Sequence, residues 1–194
     1  MNEQFLFYWL SWLLVIIVFF FMNQSKTKSF FLFTLFLVII FINDTVTIFP
    51  YQTISISFVI LTVFALIYFV STSLNIYDLF ATLTIIVAYT ALLVWAKVAP
   101  IWFVIHPYLL VPILIYIFIS SLYDQLTKQV VSVSLSLTIG HYIYGVILFQ
   151  YQLKSNVNES FFIYLYITIL LLILSQLMAV IIKFVKRKIV SSNI

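Results

Sequence analysis

The chain has 194 residues, 65% of them hydrophobic and only 7% charged, with nine Lys and Arg against five Asp and Glu. A soluble domain carries roughly 25% charged residues, so these few charges exclude a water-soluble globule and suit a chain whose outer surface meets lipid. The absence of cysteine excludes disulfide exchange, thiolate nucleophiles and Cys-bound metals, and the net charge of +4 sits in loops and the tail, which points to membrane orientation rather than nucleic acid.

A spanning helix needs about 20 mostly apolar residues. Seven segments qualify, so the expected fold is all-α: a single polytopic transmembrane domain over 1–194 built from seven helices. The first covers about 5–22. Its "MNEQ" start lacks a basic n-region, and no small-x-small cleavage site follows, so this helix is expected to stay in the mature chain. The second covers about 30–49, ends at Pro50, and carries Asn43 and Asp44 near its far end. Asp44 reads either as a carboxylate facing an outer cavity or as an interfacial helix end where Asp meets water. The third covers about 54–70 and the fourth about 79–96, with Asp78 as its expected N-cap.

The fifth segment, about 101–120, contains "IHPYLLVP". Either the helix starts at Ile101 and kinks at Pro107 and Pro112, or it starts at Pro107, since proline suits the first helical position. Both readings put His106 toward the outer side. The sixth covers about 130–149. Ser132, Ser136 and Gly140 recur at steps of four, a spacing that lets a neighbouring helix approach closely. The fifth helix, joined to it by the short "YDQLTK" turn, is the expected neighbour. A second stripe holds Ser134, Thr138, His141 and Gly145 on one face. Ionisable groups inside a membrane often mark ligand sites or pathways; the competing reading is a neutral His141 bonded to an adjacent helix. The seventh covers about 161–182 and runs into "KFVKRK".

With the N-terminus outside, Lys26, Lys28, Lys128, Lys183, Lys186, Arg187 and Lys188 fall on the cytoplasmic side, leaving only Lys97 and Lys154 outside. That bias predicts a cytoplasmic C-terminus. Tyr8, Trp9, Trp12, Trp95, Trp102, Tyr164 and Tyr166 are expected at headgroup level.

The ligand-site candidates are therefore His106, His141, Asp44, Ser134 and Thr138. No catalytic set, metal site or cofactor is expected. The last helix has no mid-membrane lysine for a Schiff base, no Gly-x-Ser-x-Gly-like serine is present, and two histidines plus one Asp fall short of the three or four ligands usual for zinc.

The opening "FLFYWLSWLLVIIVFFFM", its short basic loop and the six helices that follow resemble the YphA-type membrane proteins of Bacillus and its relatives. The resemblance implies an integral membrane protein of this length. It carries over no functional residues. The expected role is a non-enzymatic accessory or partner-binding protein of the bacterial plasma membrane, in contact with the lipid bilayer and other membrane proteins. The alternative is a small-molecule or ion carrier with an outward-facing polar cavity, its ligand not specified by these residues.

Overall fold

The computed structural model describes residues 3–22, 26–49, 52–71, 75–100, 106–151 and 158–192. Among these, seven helices and one hairpin follow in order: α1 Glu3–Phe21, α2 Lys26–Ile40, β1 Thr45–Phe49, β2 Gln52–Ser55, α3 Ile56–Ser71, α4 Ile76–Val98, α5 Pro107–Leu122, α6 Leu126–Gln150 and α7 Asn158–Ser192. Among the described residues, four stretches are long and apolar enough to cross a membrane: Glu3–Phe21, Ile76–Val98, Leu126–Gln150 and Ser160–Ile182. Pro50, Trp102 and Lys154 lie outside the described residues.

The second helix does not reach Phe49 as expected. It ends at Ile40, and the chain turns through Phe41–Asn43 into an antiparallel hairpin pairing Thr45 with Ser55 and Val46 with Ile54. The run "TVTIF" is rich in β-branched residues, which favour strands, and Asn43–Asp44 supplies turn chemistry. So the fold is helical with one small two-stranded sheet. Ile56 N–H donates to the Asp44 carbonyl at 2.8 Å, which joins the hairpin base to the start of α3.

α5 starts at Pro107, the second of the two expected starts, with His106 as its N-cap; residues 101–105 lie outside the described set. Pro112 is accommodated inside the helix. The N-cap of α4 is Asn75, not Asp78. Asp78 lies in the first turn, is buried, and pairs with Lys128 of α6 at 3.6 Å. At the start of a helix, a carboxylate also meets the positive end of the helix dipole.

The helices close a ring in the spatial order α1, α2, α3, α6, α4, α5, α7, and α7 returns to α1. α6 and α7 also touch across the ring and divide it into a five-helix and a four-helix compartment. This central position explains their burial. Val131 to Thr138 of α6 are all buried, as are Phe161 to Tyr166 of α7. Serines alternating with Val and Leu keep α6 slim enough for neighbours to approach from several sides. Beyond Ser175, α7 turns most of its side chains outward through Ile182. With 35 residues it is about 50 Å long.

The tightest helix pair is not the expected one. α5 and α6 barely touch, and α6 packs instead along α4. Connection by a short turn does not decide adjacency here; the small residues do. Ser132 and Thr82 hydroxyls are 3.1 Å apart, the Ser136 hydroxyl donates to the Thr82 carbonyl at 3.1 Å, and the Thr90 hydroxyl lies 3.0 Å from the Gly140 carbonyl. All three bring a position with a short side chain on α6 against Thr82 or Thr90 of α4, and α5 has no such hydroxyls along its buried Val111, Ile115 and Ile119 edge.

Candidate functional site

A polar cavity of about 690 Å³ opens at the Glu3 end of the bundle. Five helices contribute: Glu3 and Leu6 from α1, Leu93, Ala96 and Lys97 from α4, His106, Pro107 and Tyr108 from the start of α5, Tyr144 from α6 and Tyr164 from α7. The polar side chains reach it because each lies within a turn or two of a helix end, where the ring of helices is open.

Local structure sets the α5 wall. His106 is the N-cap, and its Nδ1 accepts the Tyr108 N–H at 3.4 Å. This satisfies one of the unpaired donors at a helix start. The His106 ring lies over Tyr108, with centroids 5.0 Å apart. The Tyr108 hydroxyl donates to the Glu3 carboxylate, a link across 105 residues of sequence that ties α5 to the first turn of α1. Tyr108 in turn lies against Tyr164 at 5.2 Å between centroids.

Next to Tyr144, aromatic rings surround His141. The imidazole is 2% exposed. Its Nδ1 lies 3.1 Å from the Tyr89 hydroxyl on α4. Phe161 of α7, Tyr144 of its own helix and Phe58 of α3 surround it at 5.2, 5.7 and 6.3 Å between ring centroids. When the phenol donates, the imidazole is neutral with its proton on Nε2.

The five sequence candidates are therefore dispersed. His106 lines the cavity and is exposed, whereas His141 is buried and does not line it. Asp44 is exposed at the base of the hairpin and does not line the cavity. Thr138 spends its hydroxyl on the Ser134 and Leu135 carbonyls, both at 2.9 Å, and Ser134 donates to the Val130 carbonyl at 2.8 Å. Such back-bonding satisfies a hydroxyl within its own helix. Shared helical face did not translate into a shared site, because α6 is surrounded by neighbours and its stripes meet different helices.

Glu3, Lys97, Tyr108, Tyr144 and Tyr164 are the cavity residues that the sequence reading missed. One signal was available: an acid, a lysine and several tyrosines near helix ends that share one side of the bundle. Tyrosines at such positions also fit an interfacial belt, and the two readings separate only in three dimensions. Among the described residues no three His, Cys, Asp or Glu side chains gather as a metal site.

The family described as YphA-like integral membrane protein matches residues 3–193. No curated protein and no solved structure matches the chain.

Proposed function

As the chain belongs to the YphA-like integral membrane protein family, we propose that it is a non-enzymatic accessory protein of the plasma membrane that recognises a polar group of a partner or ligand through its outer cavity. The observation that carries this is the lining itself: Glu3, Lys97 and His106 in one 690 Å³ space with three tyrosines. Carboxylate, ammonium and phenol groups together suit a group bearing both charges and hydrogen-bonding capacity. The carrier alternative has less support. A carrier needs a route onward through the bundle, and the buried Tyr89–His141 pair lies one turn deeper along α4 and α6 than the lining residues Leu93 and Tyr144.

The variant Glu3→Gln/Lys97→Gln/His106→Gln tests the reading. Glu3 and Lys97 lose their charges while hydrogen-bonding capacity is kept at all three positions. The expected result is normal abundance in the membrane together with the phenotype of cells lacking the protein. A triple variant that supports growth and membrane function like the parent would sink the proposal.

The proposed topology has seven spans, with the N-terminus and cavity outside and the C-terminus in the cytoplasm. The separation of Lys26, Lys28, Lys128 and the basic run after Ile182 from Lys97 supports it. α2, α3 and α5 have only 15 or 16 residues, about 24 Å or less against a hydrocarbon core of about 30 Å. A short span is accommodated by local thinning at a modest cost, and the hairpin extends the path between α2 and α3. The chain has no cysteine, so single replacements report cleanly. Ala99→Cys, just past the end of α4, is expected to react with an impermeant thiol reagent in intact cells, and Ser71→Cys only after permeabilisation. The opposite pattern inverts the topology.

A further inference from the structure

At the other end of the bundle, the five-helix compartment holds an apolar crevice of about 370 Å³ between α1, α2, α3, α6 and α7. It runs from Leu14 and Tyr166 at its deep end to Met22 and Val180 near the basic end. We propose that this crevice seats one acyl chain of an anionic phospholipid, with the phosphate held at the basic end beside Lys26 and Lys28.

Four observations carry the assignment. First, the wall offers little to a polar ligand. The wall is mainly Phe, Leu, Ile and Val; of its polar side chains, Thr34 and Ser134 spend their hydroxyls on the Phe30 and Val130 carbonyls of their own helices, Gln176 reaches the Asp124 carbonyl, and Tyr68, Thr127 and Tyr166 complete the set. Water in such a space lacks the two to four partners it needs. Second, the crevice has exposed residues at its margin, including Leu177 and Val180. On an integral membrane protein, exposure at these apolar positions is exposure to lipid tails. Third, the dimensions suit one chain of one leaflet. Tyr166 to Val180 along α7 spans about 21 Å, which exceeds half of a hydrocarbon core of about 30 Å, and the volume falls in the range of small-ligand pockets, about 300–1,000 Å³.

The fourth observation is charge, and it selects the headgroup. Lys26 is exposed at the start of α2. Lys28 Nζ donates to the Phe19 carbonyl at 2.6 Å and lies 5.0 Å from the centre of the Phe19 ring, which places its ammonium at the end of α1 beside the crevice. Along the chain, α7 continues past Val180 into a run that holds Lys183, Lys186, Arg187 and Lys188. A phosphate at this level meets the positive charges of Lys26 and Lys28 while its chain lies among Phe and Leu side chains.

The full-length protein is released from nanodiscs containing equal amounts of phosphatidylglycerol and phosphatidylcholine, and its retained lipids are identified by native mass spectrometry. The expected result is one retained phospholipid, with phosphatidylglycerol favoured roughly fivefold for each lysine engaged. Ala65→Trp, which places an indole in the crevice, is expected to abolish retention. Val180→Trp, at an exposed position near the mouth, provides the same block without disturbing the interior. Lys26→Glu should retain a lipid and lose the preference for phosphatidylglycerol. Retention that mirrors the bulk mixture in the parent would overturn the proposal. So would undiminished retention in folded Ala65→Trp and Val180→Trp, or a lipid-free dimer as the retained species.

Discussion

Gly140→Leu is expected to lower the stability of the bundle by about 3 kcal/mol, at the upper end of the usual cost of overpacking. The reason is the closeness of α4. A Cβ at Gly140 would lie 2.9 Å from Tyr89 Cδ1, 3.1 Å from Thr90 Oγ1 and 3.2 Å from the Ile86 carbonyl oxygen. None of these yields easily. The Tyr89 ring is fully buried, and the Ile86 carbonyl accepts the Thr90 hydroxyl at 2.8 Å. A leucine would also separate the Thr90 hydroxyl from the Gly140 carbonyl. Gly140→Ala is a finer measure of the same contact. Replacing glycine inside a helix gains about 1 kcal/mol of intrinsic preference, which offsets much of the crowding by one methyl group. Its expected stability is about 0–2 kcal/mol below the parent by that balance. Thermal unfolding in detergent reads both variants. An unchanged melting temperature for Gly140→Leu would contradict the close α4–α6 approach.

His141→Leu is expected to destabilise the protein by about 1–3 kcal/mol, the cost of leaving a buried polar group without its partner. The group left behind is the Tyr89 hydroxyl, whose residue is 0% exposed and lies 3.1 Å from His141 Nδ1. Tyr89→Phe removes the other half of the pair and should cost a similar amount. The double variant decides the matter. If the two groups serve each other, Tyr89→Phe/His141→Leu is less destabilised than the sum of the singles, by about 0.5–3 kcal/mol of coupling. His141→Gln retains a polar side chain and is expected to be milder than His141→Leu. If His141→Gln instead reproduces the phenotype of cells lacking the protein at normal abundance, the imidazole has a role beyond packing. Strict additivity of the singles would show that the Tyr89 contact contributes nothing.

Much of the architecture was legible from residue order. Seven helical segments are present where seven apolar runs predicted them, although their ends moved. α6 and α7 extend beyond the expected 130–149 and 161–182 because polar residues such as Thr127, Lys128 and the basic tail continue a helix at little cost outside the apolar stretch. The error at α2 has a different origin. Length alone demanded a helix to Phe49, while "TVTIF" favoured a strand, and at the margin of the bundle the local preference prevailed because hairpin pairing satisfies the backbone there.

The site was less legible than the fold. A sequence shows that His106 and His141 are unusual in such company, but not that one lines a cavity and the other is buried outside its lining. It cannot pair Glu3 with Tyr108, because that contact depends on α1 and α5 meeting through α7.

What the sequence determined by itself was residence in lipid and the helical segments, since these follow from hydrophobic length summed along the chain. Tertiary structure alone decided that α6 packs on α4 rather than α5, that Asp44 does not line the cavity, and that the cavity belongs to Glu3, Lys97, His106 and tyrosines. The physical reason is that helices in a bundle have several possible neighbours of similar apolarity. The choice among them rests on small differences in shape and hydrogen bonding, such as a glycine facing a tyrosine ring, that become visible only once both surfaces are brought together.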